Sequence, residues 1–345
     1  MRTLFVLALL LSCAACAPPS YDLSSLEGRA AILARTRGYL DNRDCTAAIS
    51  SIEGLYNSES TNNEVRLLRA SAHGCNAGLE NFLQFLADLI TKDLVGGALW
   101  ASLCELFHYD DADQTGRRIA SSWFAIDSLQ ASIREGTVIL PIDRVSVDDW
   151  NLASLVASDR TSDSNSYLMF ITMASIGNME THYGDPDPTT FRQGQALGAT
   201  AANPQGWSVA TAVNSSSDEA ACAYAAGVLN MLDAIHAASS TMPTAVASTL
   251  SQIETTFSTA IGEACEAGCI GSGGGPVTVS GYAMTPNSGC AIAAGECQTQ
   301  NGRPCPRKLR DRRSCLGLIT DKNSCAAAGL IQVINEHPIL GWQGP

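Results

Sequence analysis

The chain has 345 residues, of which 46% are hydrophobic, 16% charged and 6% aromatic, and its formal net charge is −13. This length predicts about two domains, and the hydrophobic content excludes a wholly disordered chain. The acidic balance argues against a nucleic-acid-binding protein, because such surfaces need basic side chains to displace counterions from phosphates. Thirteen cysteines, seven of them after residue 264, indicate an oxidising compartment and disulfide bonds.

The first residues of the chain predict an export signal. One basic residue, Arg2, precedes the uninterrupted apolar run Leu4–Leu11. This run is too short to span a bilayer, since a spanning helix takes about 20 residues, but it is typical of the apolar part of a secretory signal. We therefore predict a signal peptide over residues 1–15.

The segment SCAACAP after this run resembles a bacterial lipobox, in which a cysteine after small residues receives diacylglycerol and becomes the mature N-terminus. Cys16 has Ala14 and Ala15 before it and is the favoured lipidation site. Cys13 is the alternative and would leave an unusually short signal, while a plain secreted chain is a third possibility. The resemblance implies a lipid-anchored protein of the bacterial cell envelope, on the periplasmic or surface face of the outer membrane.

Residues 16–270 are predicted to form an all-α domain, because helical periodicity recurs there and strand alternation hardly appears. Asp44 and Asn62 are expected to cap the N-termini of two of these helices. The predicted helices are Ser24–Leu40, Cys45–Leu55, Glu64–His73, Leu79–Ile90, Leu94–His108, Thr115–Arg134, Val147–Ser158, Ser166–His182, Asp218–Ser239 and Pro243–Glu266.

The segment Tyr39–Leu55 resembles a tetratricopeptide repeat, from the aromatic residue that ends the first helix to the large apolar residues of the second. In that family a small residue, here Ala48, lies where two antiparallel helices approach most closely, and Ile52 and Leu55 face the next helix pair. The resemblance implies antiparallel helical hairpins stacked as a solenoid or bundle. It departs from the family at the front of the first helix, so a generic helical hairpin is the alternative.

Two segments interrupt the helical pattern. Residues 135–146 are expected to be an edge strand or an extended loop, and residues 184–217 a long polar loop. The glycine-rich segment Gly271–Pro276 predicts a flexible boundary. After it, residues 271–345 are predicted to be a small appendage held together by disulfides, because so short a segment cannot bury a large core.

The cysteines of the helical domain suggest two disulfides. Cys45 and Cys75 lie in neighbouring predicted helices, and Cys104 and Cys222 lie in two others. The pairing of the cysteines in the appendage cannot be deduced from the sequence. Their spacing lacks the paired short intervals of a zinc site, so no metal is predicted.

No catalytic residue and no cofactor are predicted, because the five histidines are dispersed and no nucleophile elbow or phosphate-binding loop is present. Asp111–Gly116 resembles the opening of a calcium loop but lacks its last ligand, so we predict a solvated turn that caps a helix at Thr115. A basic patch in the appendage is a candidate for contact with anionic lipid headgroups, with lipopolysaccharide or with the acidic domain of the same chain. It comprises Arg303, Arg307, Lys308, Arg310, Arg312 and Arg313.

Two functional hypotheses follow. The first is a membrane-anchored, non-catalytic helical scaffold that binds a protein or peptide in the cell envelope and no nucleic acid. The second is an enzyme or small-ligand-binding protein with a site between the helices and the 184–217 loop. A buried cluster of titratable residues in an apolar pocket would favour the second hypothesis.

Overall fold

The computed structural model describes residues 21–80, 99–107, 112–133, 161–184 and 218–239, parts of 247–255, and the segments 277–279 and 282–284. These residues are mostly helical, as the hydrophobic periodicity predicts. None of the helices within these ranges is long and apolar enough to cross a membrane.

Seven α-helices and one β-hairpin have complete bounds. The helices are α1 Leu26–Asp41, α2 Cys45–Ser58, α3 Asn63–Gly74, α4 Leu99–Phe107, α5 Ala112–Ile133, α6 Thr161–Gly184 and α7 Asp218–Ser239. A single π-helical turn, Cys75–Leu79, continues directly from α3. The hairpin consists of β1 Val277–Val279 and β2 Tyr282–Met284, which pair antiparallel with Val277 opposite Met284.

Side-chain caps determine where the first three helices begin. The Ala47 N–H donates to Asp44 Oδ1 at 3.0 Å, and the Glu64 N–H donates to Asn62 Oδ1 at 3.0 Å, so both predicted caps are present. The Gly28 N–H donates to the Ser25 hydroxyl at 3.0 Å at the start of α1. Each cap satisfies a backbone donor that has no partner within its helix.

Helices α1, α2 and α3 enclose an apolar core. Because Arg29 near the start of α1 pairs at 2.6 Å with Glu59 just after α2, these two helices run in opposite directions. Arg37 of α1 pairs with Glu64 of α3 at 2.5 Å. The residues buried between the three helices are Ile32, Ala48, Ile52, Leu55, Val65, Leu68 and Ala72.

The π-helical turn adds to the contacts between the first three helices and the remainder of the described domain. Asn76 Nδ2 donates to the Ser121 hydroxyl of α5 at 2.6 Å. Asn178 Nδ2 of α6 donates to the carbonyl oxygen of Ala77 at 2.8 Å. Gly78 has a φ of 108°, in the left-handed region that glycine adopts without steric cost. The turn is therefore fixed by hydrogen bonds from two separate helices.

Helix α6 is the central helix of the described domain. It packs against α4, α5 and α7 and also against the π-helical turn. All residues from 168 to 181 are buried, including polar ones. Thr172 satisfies its hydroxyl by donating to the carbonyl oxygen of Leu168 at 2.8 Å. The burial on all sides explains why α6 lacks the polar face of a surface helix.

Replacement of Gly78 by alanine should lower the free energy of unfolding by about 1–2 kcal/mol, because the left-handed backbone is strained for a residue with a Cβ atom. That Cβ would also lie 2.9 Å from Arg118 Nη1. Gly54 of α2 is the matched control, since its Cβ would meet nothing within 4 Å. Gly54→Ala should instead stabilise the helix by about 0.5–1 kcal/mol. Urea denaturation of both variants would test this, and equal shifts would contradict the assigned backbone conformation.

Two helices begin earlier than the periodicity predicts. Helix α5 begins at Ala112 rather than at Thr115, and α6 begins at Thr161 rather than at Ser166. Because residues 112–116 are helical, they form neither the predicted solvated turn nor a calcium loop. Residues 81–90, 135–158 and 185–217 lie outside the described residues, as do the signal peptide, the glycine-rich boundary and the cysteines of the appendage.

Candidate functional site

The best-defined group of titratable side chains lies between α2, α3 and α5, and we call Glu53, Arg69 and His73 the charged cluster. Arg69 and His73 are four residues apart on α3, so both side chains reach the same point on α2. Arg69 Nε donates to Glu53 Oε1 at 2.9 Å, and His73 Nε2 lies 2.7 Å from the same oxygen. One carboxylate oxygen thus holds two side chains of the neighbouring helix.

Helix α5 covers the charged cluster. Arg69 Nη1 donates to the Ser128 hydroxyl at 2.8 Å and to the carbonyl oxygen of Phe124 at 3.2 Å. The guanidinium carbon lies 4.2 Å from the ring centroid of Tyr56 and 5.3 Å from that of Phe124, distances at which a cation is attracted to an aromatic ring. The Phe124 ring also contacts the imidazole of His73, with 5.1 Å between centroids. The cluster therefore fastens α5 to α3.

Burial separates the protonation behaviour of the three groups. The Arg69 and His73 side chains are 8% and 5% exposed, whereas Glu53 is 32% exposed. Burial lowers the pKa of His73 and outweighs the opposing hydrogen bond to Glu53. Burial raises the pKa of Glu53, but hydrogen bonds from His73 and Arg69 and the charge of Arg69 lower it by more. At neutral pH the cluster is an arginine–carboxylate pair beside a neutral imidazole.

Acid should weaken this packing first through His73. Its folded-state pKa lies below 6.5, so the unfolded chain binds more protons and stability falls as the pH decreases below that value. Protonation would place a second N–H on Nδ1, which is buried and has no hydrogen-bond partner. Protonation of Glu53 causes a further loss of stability only below pH 4.5, the usual pKa of a glutamate, because the folded state lowers the pKa of Glu53.

The measurement is the free energy of unfolding as a function of pH, compared between the wild type and His73→Gln. Glutamine retains an N–H donor but does not titrate in this range. Between pH 6.5 and 5 the wild type should lose more stability than the variant, with a maximum difference in slope of about 1.4 kcal/mol per pH unit. Parallel curves over this interval would show that His73 is not the responsible group.

A second group of polar side chains lies deeper, between α4, α6 and α7, and we call Cys104, Glu180, Thr181 and Tyr224 the inner polar cluster. The Tyr224 hydroxyl donates to Glu180 Oε1, and the Thr181 hydroxyl lies 3.6 Å from Cys104 Sγ. All four residues are buried. Burial raises the pKa of the Cys104 thiol well above its usual value, and the nearby Glu180 raises it further. A protonated, enclosed thiol of this kind is a poor nucleophile.

The predicted disulfide partners have different outcomes. Cys45 and Cys75 form a disulfide, with Cα atoms 5.4 Å apart. Cys104 is a free thiol, so the expected bridge to Cys222 is absent, because Cys104 faces Thr181 of α6. The Cys222 backbone belongs to α7, and its side chain is outside the described part. The candidate lipidation sites Cys16 and Cys13 and the basic patch of residues 303–313 also lie outside it.

The charged cluster was not predicted from the sequence. A partial signal existed, because Arg69 and His73 lie at the edge of the apolar stripe formed by Val65, Leu68 and Ala72. Charged groups at such an edge are frequently solvated, and only the packing of α2 and α5 shows that these two are enclosed. Glu53, the residue that joins them, precedes Arg69 by 16 positions in the sequence.

Within the described ranges, no three His, Cys, Asp or Glu side chains are grouped so that they could hold a metal ion. Comparison of the chain with protein-family models, curated proteins and solved structures gave no significant match.

Proposed function

We propose that this protein is a lipid-anchored, non-catalytic helical scaffold of the bacterial cell envelope that binds a protein or peptide. The main support is that the charged cluster joins helices. Glu53 of α2 forms hydrogen bonds with Arg69 and His73 of α3. Arg69 in turn donates hydrogen bonds to Phe124 and Ser128 of α5. The charged groups of this cluster are thus engaged in packing, as in a scaffold. Stacked α-helices with short turns are a common architecture of such proteins.

Membrane attachment is assigned to a lipid on Cys16, with Cys13 as the alternative. The first described residue, Tyr21, follows Cys16 after four residues, so a lipid there would keep α1 near the bilayer. The basic patch of residues 303–313 would add attraction to anionic headgroups. Its contribution is secondary, since a polybasic segment typically assists a lipid anchor.

Fractionation of cells that express Cys16→Ser, Cys13→Ser and the double variant tests the anchor. We expect the wild type and Cys13→Ser in the membrane fraction, and Cys16→Ser in the soluble fraction. If Cys13 is the lipid site, Cys13→Ser should instead appear in the soluble fraction and Cys16→Ser in the membrane fraction. Continued membrane association of the double variant would overturn the lipid anchor.

Crosslinking in intact cells tests the scaffold. The wild type is crosslinked with a membrane-permeable reagent and purified through a C-terminal tag, and bound proteins are compared with those on the Cys13→Ser/Cys16→Ser variant as a control. A scaffold should retain the same envelope protein in repeated experiments, more strongly from the anchored form. Failure to recover a reproducible partner would count against the proposal.

The inner polar cluster favours one alternative, a small-ligand-binding protein or enzyme with a site between the helices and the predicted 184–217 loop. Glu180 and Tyr224 are buried titratable groups, and α6 ends at Gly184, where that predicted loop begins. A thermal-shift screen of small polar metabolites would test it. Ligands that stabilise the wild type but not Glu180→Gln would support this alternative over the scaffold.

A further inference from the structure

The described helices pack as two units. Helices α1, α2 and α3 enclose one apolar core, whereas α6 packs against α4, α5 and α7. Within the described residues, most of the contact between the two units lies between α3 with its π-helical turn and helices α5 and α6. We call this contact the unit interface. A motion of one unit relative to the other must therefore break contacts of α3 or of the π-helical turn.

The charged cluster belongs to the unit interface. Arg69 of α3 donates hydrogen bonds to Phe124 and Ser128 of α5. His73, one turn later on α3, contacts the Phe124 ring. Both side chains are bound to Glu53 Oε1, so this one oxygen orients two of the groups with which α3 meets α5. A change in the charge of the cluster therefore acts first on the interface, before it reaches the core of either unit.

The surroundings of His73 accommodate only the neutral imidazole. Its side chain is 5% exposed, and its Nδ1 is buried without a hydrogen-bond partner. A proton on both ring nitrogens would leave the Nδ1 N–H without an acceptor, which is costly in a buried position. Two cations, His73 and Arg69, would then also share the single oxygen Glu53 Oε1. Protonation of His73 is therefore compatible with its present position only at a large cost.

Between pH 7 and 5, His73 is the member of the charged cluster that changes its charge. Glu53 stays ionised, because the folded state lowers its pKa, and an arginine such as Arg69 is always charged. Other titratable side chains on the packed elements are Tyr56 of α2, Cys75 in the disulfide, Asp127 of α5 and Tyr167 of α6. All of them are unchanged in a variant that replaces only His73, so such a variant isolates the imidazole.

We propose that His73 is a pH-sensitive latch: the neutral imidazole keeps the unit interface closed, and its protonation in mild acid opens the interface while both units stay folded. Phe124 is 43% exposed, so the charged imidazole reaches water by displacing this ring from α3. The next residue on α3, Gly74, contacts the Tyr167 hydroxyl of α6. Opening at His73 therefore also uncovers Tyr167. The latch is independent of the lipid anchor and of the scaffold function.

Hydroxyl-radical footprinting read by mass spectrometry tests the latch, because it measures the solvent access of single side chains. The full oxidised chain in detergent is labelled at pH 7 and at pH 5. Tyr167 reports on the unit interface, and Tyr224, which is buried between α6 and α7, reports on the core of the second unit. One bound proton shifts the equilibrium towards the open interface by at most about tenfold per pH unit. Oxidation of Tyr167 should therefore rise at least about twofold at pH 5, while that of Tyr224 stays constant.

Three variants assign the response to one histidine. His73→Gln and His73→Leu both remove the titrating group and should abolish the acid response of Tyr167. Two replacements are used so that a folding defect of one, detected by far-UV circular dichroism at pH 7, does not decide the outcome. His182→Gln is the matched control and should keep the response, because His182 lies at the exposed end of α6, about 22 Å from Tyr167 along the helix.

Four results would overturn the latch. The first is a wild type in which acid does not change the oxidation of Tyr167. The second is a parallel rise at Tyr224, which would mean that the domain unfolds as a whole. The third is an undiminished response in the folded His73 variants, and the fourth is a response that is lost in His182→Gln.

Discussion

Glu53→Gln is expected to lower the free energy of unfolding by about 2–3 kcal/mol at pH 7. Arg69 would stay buried but lose the ion pair with the Glu53 carboxylate. His73 would likewise lose a charged hydrogen-bond acceptor. Removal of one partner from a buried pair is costly because the remaining charge stays desolvated. The partial exposure of Glu53 places the expected loss below that of a fully enclosed pair.

Glu64→Gln is the matched control for this substitution. It breaks the ion pair with Arg37, whose two side chains are 53% and 44% exposed. Water solvates both groups when the pair is broken, so the expected loss is below about 0.5 kcal/mol. Urea denaturation at pH 7 would measure both variants. Similar losses for the two glutamate substitutions would mean that the charged cluster does not contribute as a buried network.

The second large effect is expected at the disulfide between Cys45 and Cys75. Replacement of both residues by alanine should reduce the free energy of unfolding by about 3–4 kcal/mol, because the bond closes a loop of 30 residues and restricts the unfolded chain. The bond also connects the beginning of α2 to the π-helical turn. We therefore expect lower protection of this turn from hydrogen exchange in the variant.

The single variants Cys45→Ala and Cys75→Ala are the controls. Each removes the same covalent bond, so each should lose nearly as much stability as the double variant, and the two losses should not add. Cys45 is partly exposed and Cys75 is buried, which allows a small additional packing loss only at position 75. Additive losses from the two single variants, or wild-type stability in the double variant, would contradict the presence of the bond.

Local signals in the sequence were sufficient for the first three helices. Asp44 and Asn62 are cap residues whose side chains act on backbone groups two or three positions away, so neighbouring residues alone determine these helix starts. Ala48, Ile52 and Leu55 likewise follow the helical period and are buried. Helix α6 was harder to place, because its buried polar residues obscure the boundary that an amphipathic pattern would mark.

The charged cluster and the free thiol of Cys104 depend on contacts between distant residues. Arg69 meets Ser128, 59 positions later, and Cys104 meets Thr181, 77 positions later. No local pattern predicts that Cys104 faces a threonine rather than another cysteine. The predicted bridge to Cys222 was wrong in this structure because spacing alone does not determine which sides of two helices are opposed.

The central position of α6 also constrains the order in which the domain can be assembled during synthesis. Its neighbours α4 and α5 precede it in the chain, whereas α7 follows it by more than thirty residues. Until α7 has been made, α6 lacks its contacts with this helix, and a buried side chain such as Ile176, which lies next to Gly227 of α7, is missing part of its surroundings. A nascent chain that ends before residue 218 would expose this apolar surface, so the core of the described domain is completed only when α7 is made.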